Sequence, residues 1–323
     1  MHEVDYQKRE NPKYFVTAHS AWCPPKRSEL MEIQLKRPEL SEPCLKDNEE
    51  NKINDTQVGI PIKFSVNCNE DVEQNADIAF RLYPEGSDIK TTEAECTLRG
   101  KNINGIAETE ELCWGTKNQE SPPEGTNKYF FTAQTRNSPY ITSNVFEIKL
   151  PEFSNLAWTK DSNNIENAIV NEFLILKCDV KNIPDYQQVI VEIFEPDTEG
   201  GDKHIFDVKG KIKDNKLEVE WKVEYLEKVG TKSKNEIDEQ KYTIPEYHFL
   251  VRYFGYKSEA SPVLKLKFNF IERALNKNNN PIPDTYYVLL TPDGQELYGK
   301  TDKKGFIRHD DLYIGKYKII IAK

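Results

Sequence analysis

The sequence is poor in methionine, with two residues among 323, and its 15 glycines are scattered. Little Met beside many Tyr, Phe, Val and Ile argues against a helical bundle and for β structure. No run of 18 apolar residues occurs, which excludes a membrane-spanning helix. The first twenty residues, MHEVDYQKRENPKYFVTAHS, contain no apolar core of a secretory signal. The chain is therefore expected to be cytoplasmic before any assembly, and exported, if at all, by a non-Sec machine. The six cysteines are Cys23, Cys44, Cys68, Cys96, Cys113 and Cys178, with no C-x-x-C pair, so zinc and redox frames lack support. Without a signal peptide, reduced thiols are favoured, although five cysteines within the first 113 residues leave room for a disulfide there. No excess of basic charge exists either. Lys and Arg number 44 against 54 Asp and Glu, a net −10 that disfavours nucleic acid as a partner.

Catalytic frames are missing as well. His2, His19, His204, His248 and His309 form no H-E-x-x-H, and no G-x-S-x-G elbow precedes a helix. His309-Asp310-Asp311 resembles a metal cluster, but neighbours along a strand point to opposite faces. Asp77, Asp161 and Asp185 sit near strand ends where Ca²⁺ would find oxygens, yet no loop spaces them as ligands. Gly294 to Thr301 satisfies the spacing G-x-x-x-x-G-K-[ST]. A P-loop needs a helix after its glycines, and here a strand and an Asp-Lys-Lys-Gly turn follow. No residue set emerges as catalytic, cofactor-binding or metal-binding, and the chain is expected not to be an enzyme.

What is present is repetition. Residues 14–41, YFVTAHSAWCPPKRSELMEIQLKRPELS, match 129–154, YFFTAQTRNSPYITSNVFEIKLPEFS. A looser copy stands at 247–268, YHFLVRYFGYKSEASPVLKLKF. Tyr14, Tyr129 and Tyr247 are spaced by 115 and 118 residues. Between the copies, VGIPIKFSVNC (58–68) parallels VNEFLILKCDV (170–180), and DIAFRLYPEG (77–86) parallels QVIVEIFEPD (188–197). A segment ending at Trp114 parallels one ending at Trp221. The repeat predicts complete units at 38–150 and 151–268, preceded by the last hairpin of another unit at 1–37. That hairpin reads as the tail of an array that begins upstream. Its sharper reading is strand addition to another chain through 14–37.

Each unit carries period-two alternation. Phe64, Val66 and Cys68 face one side, as do Ile78, Phe80 and Leu82, or Leu217, Val219 and Trp221. Val145, Ile148 and Leu150 are expected to alternate near the end of the first unit, with an irregularity at Phe146–Glu147, and Val263, Leu264, Leu266 and Phe268 close the second. Turns are signalled by Pro84-Glu85-Gly86, Asn104-Gly105, Asp214-Asn215 and Gly200-Gly201. About seven short strands per unit predict immunoglobulin-like β-sandwiches. Trp114, Trp221 and Trp158, the last where the first unit has Cys44, are expected in the cores. Cys68 and Cys178 fall on equivalent inward strands without a partner cysteine, so the inter-sheet disulfide of antibody domains is absent.

Residues 269–323 break the pattern, with 9 basic and 7 acidic residues that leave −12 on the remainder. Strands are expected at Thr285–Leu290, Glu296–Lys300, Gly305–Arg308 and Gly315–Ala322. Asn280-Pro281-Ile282-Pro283, Pro292-Asp293-Gly294, Gly299-Lys300-Thr301-Asp302, Gly305 and Leu312-Tyr313-Ile314-Gly315-Lys316-Tyr317 together resemble a transthyretin-like (carboxypeptidase-regulatory-like) domain. The resemblance covers about 45 residues and implies a small β-sandwich used for assembly or docking. Ser143-Asn144-Val145, Ser261-Pro262-Val263-Leu264 and Trp158-Thr159-Lys160, with the terminal turns, resemble C-terminal extensions of contractile-injection (type VI secretion) spike and carrier proteins. That resemblance implies a protein partner: a spike, an effector or a neighbouring repeat. The fold class expected is thus all-β, tandem immunoglobulin-like β-sandwiches with a small terminal transthyretin-like β-sandwich. The function expected is a non-enzymatic stalk and adaptor, with a surface adhesin or glycan-binding protein as the alternative.

Overall fold

The structure, a computed structural model, describes residues 37–113, 127–196, 201–225 and 244–321 in full. Of the preceding residues it describes only the backbone of short strands, Lys13–Tyr14 paired with Met31–Glu32 and Thr17–Ser20 paired with Cys23–Arg27. Trp114 and the side chain of Cys23 lie outside the described residues. The described chain is all-β, without a helix, and divides into two compact units that succeed each other at Ile148 and Lys149.

The first sandwich is built from β1 (Leu40–Lys46), β2 (Asp55–Gln57), β3 (Pro61–Cys68), β4 (Asp77–Pro84), β5 (Cys96–Ile103), β6 (Ile106–Thr109), β7 (Lys128–Thr135) and β8 (Phe146–Lys149). Its strand order is β1-β3-β6-β5-β4-β7-β8-β2. One end of that path is the β1-β3-β6 sheet and the other is the β4-β7-β8-β2 sheet. β5 is the corner, pairing β4 through Cys96–Lys101 and β6 through Gly100–Ile103. At Gly100 the turn from one sheet to the other is tight. A Cβ there would stand 2.4 Å from the Glu108 carbonyl oxygen, so only glycine fits. The hairpin that follows uses Asn104-Gly105, both at positive φ (54° and 86°), the two-residue turn that matches strand twist. The alternating residues Ile62, Phe64, Val66, Ile78, Phe80, Leu82 and Phe131 close the core. Phe64 stacks on Phe131 with ring centroids 4.6 Å apart.

The second sandwich repeats this plan. Its strands are β9 (Glu152–Lys160), β10 (Asn167–Ile169), β11 (Phe173–Lys181), β12 (Gln188–Glu195), β13 (Lys203–Lys213), β14 (Lys216–Lys222), β15 (Glu246–Tyr253) and β16 (Leu264–Arg273). The order β9-β11-β14-β13-β12-β15-β16-β10 is the first order with every index raised by eight. Gly210 stands at the same corner as Gly100, with a Cβ position 2.4 Å from Val219 Cγ2. Asp214-Asn215 makes the same turn. Two sheets joined through such a corner, with the first strand split so that its second part pairs with the last strand, define immunoglobulin-like sandwiches.

Both described tryptophans are core residues. Trp158 is 1% exposed, meets Phe249 edge-on at 4.9 Å, and donates its indole N–H to the Pro262 carbonyl at 2.8 Å. Trp221 packs beside it at 5.7 Å. Pairing shifts the expected correspondence by one residue. Trp158 lies opposite Leu176 as Leu45 lies opposite Phe64, so Leu45, not Cys44, is its counterpart. At the unit ends the expected alternation is also displaced. Val145 and Val263 are exposed, while Phe146, Ile148, Leu264 and Leu266 point inward. The reason is a serine that interrupts the ladder just before each strand. Ser143 Oγ accepts the Phe131 N–H at 2.9 Å, and Ser261 Oγ accepts the Phe249 N–H at 2.9 Å. Each serine N–H returns a bond to the same residue's carbonyl. The chain leaves the ladder there and re-enters with the next residue's parity.

The C-terminal residues build a smaller pair of sheets on β16. That strand pairs with β10 and β15 at its start, and through Lys267–Arg273 with β19 (Phe306–Tyr313). The expected boundary at 268/269 therefore falls inside one continuous strand. β17 (Tyr286–Leu290) is flanked by β18 (Glu296–Lys300) and β20 (Lys318–Ile321). Phe270, Ala274, Tyr287, Leu289 and Ile307 form the buried centre between the two sheets.

Candidate functional site

The residues of the P-loop-like stretch are structural. Glu296–Lys300 is the strand β18, antiparallel to β17, and no helix follows. Thr301 is buried and clamps two segments. Its hydroxyl donates to the Ile282 carbonyl at 2.7 Å and accepts the Thr285 N–H at 2.9 Å. The following turn is held by Asp302, whose carboxylate accepts the N–H groups of Lys304 and Phe306 at 2.8 and 2.9 Å. These bonds hold its carboxyl below the ordinary range, that of Phe306 foremost. His309 Nε2 and the Tyr287 hydroxyl share a hydrogen bond of 2.8 Å, and burial pushes the His309 pKa down. Asp310 and Asp311 are exposed beside it. Asp77 belongs to the first unit, Asp161 and Asp185 to the second. Among the described residues no group of three His, Cys, Asp or Glu side chains is arranged to hold a metal ion.

The chemistry that register brings together lies on the outward faces of the β4-β5-β7 and β12-β13-β15 sheets. In the first sandwich Tyr83 and Phe130 stand directly opposite and stack at 5.6 Å with planes 20° apart. In the second, Phe194 and His248 occupy the equivalent pair and stack at 5.6 Å and 11°. A stacked aromatic pair on the outer face is thus a shared device. What flanks it differs. Arg81 and Gln134 in the first sandwich correspond to Glu192 and Arg252 in the second, where Arg252 Nε lies 2.9 Å from Glu192 Oε1. Glu192 Oε2 has no hydrogen-bond partner. His204 meets Phe194 edge-on and pairs with Asp207 at 2.7 Å, while His248 pairs with Asp202 at 3.1 Å. The polar groups of the second face are therefore paired locally, Arg252 with Glu192 and each histidine with an aspartate.

The first face differs. An open cavity of about 440 Å³ is lined by Asp77, Arg81, Thr97, Arg99, Gln134 and Arg136, with neighbouring backbone. Thr97 stands opposite Arg81 and Arg99 opposite Ala79, which places Arg81 and Arg99 on one diagonal of the same face. Arg136 enters from the turn after β7. Arg81 Nη1 donates to Gln134 Oε1 at 3.4 Å. The side chains of Arg99 and Arg136 have neither a hydrogen bond nor an ion pair among the described residues. Sequence reasoning missed this cluster because the three arginines are far apart in the chain and carry no motif. Only the outward parity of Arg81 and Arg99 hinted at it.

No protein-family model matches the chain, and no curated protein matches it. Among solved structures it is similar to a chimeric titin Z1Z2 at 13% identity and a TM-score of 0.26, covering 73% of this chain and 98% of that one. Drosophila OTK extracellular domains 3–5 align at 11% identity and a TM-score of 0.23, over 88% and 94% of the two chains. Alpha-2-macroglobulin from Escherichia coli aligns at 10% and 0.23, and this chain spans 22% of its length. Scores of this size carry no functional argument, and the immunoglobulin-like assignment rests on the strand order itself.

Proposed function

We propose that the chain is a non-enzymatic structural and docking protein, a stalk of immunoglobulin-like sandwiches ending in a transthyretin-like adaptor. The observation that carries this reading is the duplicated strand order, with the same corner glycine, serine clip and outer-face stack in both sandwiches. A frame repeated in such detail around closed apolar cores is a spacer, and its variable surfaces are where partners bind. The proposed setting is a contractile-injection tip or effector carrier of the type VI secretion kind, loaded in the cytoplasm. The hairpin at 14–37 is the proposed point of strand addition. Its Tyr-Phe-Val-Thr-Ala corresponds in sequence to the start of β7, which in its own sandwich is flanked by β4 and β8. Co-purification of the tagged full chain with a spike or effector protein is the expected result. Recovery only as a free monomer overturns the reading.

A glycan-binding role is the second reading, favoured by Tyr286 and Tyr298, 69% and 72% exposed on one face of the terminal β17-β18 sheet. Such rings suit stacking on sugars. A glycan array without a hit removes it.

A further inference from the structure

We propose that the outer edge of β18 in the terminal module pairs antiparallel with β18 of a second copy of this chain, about a two-fold axis at Tyr298.

The first observation is backbone. β18 pairs β17 on one side, and among the described residues no strand lies on the other. Hydrogen bonds at the two ends of that pairing fix its phase. Thr301 donates its N–H to the Thr285 carbonyl, and Thr291 donates its N–H to the Gln295 carbonyl. The register then makes Tyr287 with Gly299 and Leu289 with Leu297 the bonded pairs between them. The N–H and carbonyl groups of Glu296, Tyr298 and Lys300 point the other way, into the open edge. The side chains of these three residues are exposed as well. The pairing has no bulge and the strand no proline, the devices that usually blunt an edge. An edge of this kind accepts an extended strand through main-chain hydrogen bonds.

The second observation is chemical symmetry, and it selects the occupant. Antiparallel pairing about Tyr298 sets Tyr298 opposite its own copy and Glu296 opposite Lys300 of the second copy. The two-fold axis repeats that charge pair on its other side. All three residues offer outward-pointing backbone groups, so the main-chain bonds and both charge pairs form in one register. An axis on Glu296 or on Lys300 would instead set like charges face to face. The present partners of these side chains are surface contacts. Glu296 accepts the Tyr298 hydroxyl, and Lys300 lies 3.5 Å from the Asp284 carboxylate. Exposed contacts of this sort exchange at little cost. The same face adds apolar area. Val288 stands between Tyr298 and Ile320 in a row across the sheet, with Tyr298 72% and Ile320 45% exposed. Pairing joins this row to its copy and runs it across a continuous sheet of both modules.

The test is sedimentation of the full chain over a concentration series. A contact this small predicts a dissociation constant on the order of 10 µM, the mass rising from 37.5 kDa towards twice that value. Glu296→Lys and Lys300→Glu each turn both charge pairs into repulsions, and each should weaken the dimer at least about tenfold. Mixed, these two variants should pair with each other more tightly than either pairs with itself. The double variant should regain the parent affinity within about threefold. Tyr298→Pro removes an N–H that β17 does not use, so its thermal melt should match the parent while its dimer is lost. A parent chain still monomeric at about 300 µM overturns the proposal. A dimer unchanged by Tyr298→Pro overturns the edge as its seat. Charge variants that pair with themselves as well as with each other overturn the register.

Discussion

Replacing Ser261 by alanine removes one oxygen from the centre of the second sandwich. That oxygen accepts the Phe249 N–H at 2.9 Å and donates to the Pro262 carbonyl at 3.0 Å. Phe249 is fully buried and Ser261 is 6% exposed, so water has no ready access to the N–H left behind. An orphaned buried amide costs about 1–3 kcal/mol. For a domain near a hundred residues this lowers Tm by roughly 4–8 °C per kcal/mol. Ser258 supplies the control. Its hydroxyl accepts the Val251 N–H at 2.8 Å and donates to the Glu259 carbonyl at 2.7 Å, the same pair of bonds, but half-buried. Solvent can substitute there, and Ser258→Ala should cost less than about 1 kcal/mol. Urea unfolding followed by the fluorescence of Trp158 and Trp221 measures both variants. A Ser261→Ala midpoint equal to that of Ser258→Ala refutes the account of the clip. The Ser143→Ala change should reproduce the effect in the first sandwich, through Phe131.

Three further outcomes are expected. Gly100→Ala and Gly210→Ala should each destabilise by about 1–3 kcal/mol, since the added methyl meets the Glu108 carbonyl or Val219 at 2.4 Å; chemical denaturation of each variant checks this. Burial pushes the His309 pKa down, so the unfolded chain takes up the proton first as pH falls. Stability that is full above the ordinary histidine value of 6.5 should decline below it, and His309→Gln should flatten that part of a stability-against-pH curve. Burial also pushes the Cys178 pKa up to about 11, so this thiol should resist iodoacetamide at neutral pH until the domain is unfolded, as peptide mapping would detect.

The sequence made the sandwiches legible because their signals are local and doubled. Asn104-Gly105 and Asp214-Asn215 announce the same turn twice, and Phe64, Phe80, Leu217 and Trp221 keep their alternation through to the core. Reading failed where a side chain replaces a ladder bond. Ser143 and Ser261 were visible as repeat markers, but nothing in their letters says that they reset strand parity and turn Val145 and Val263 outward. The arginine face was invisible for a different reason. Arg81, Arg99 and Arg136 become neighbours only once β4, β5 and β7 are paired in register, a long-range fact that no window of sequence contains. The repeat ends at Phe268 and suggests a domain edge there, although the strand β16 itself continues to Arg273.

That unbroken strand has a mechanical meaning. Modules strung on flexible linkers have slack at every joint, and a pull on one is felt by the next only after the linker is taut. Where β16 leaves the second sandwich it is already a strand of the terminal module, and the irregularity at the joint is a shift of register between Phe268 and Phe270. Load applied to the small module is therefore transmitted along a backbone hydrogen-bonded on both sides of the junction. The terminal module is joined to its sandwich by a strand rather than a linker, and a pull on one reaches the other through β16 itself.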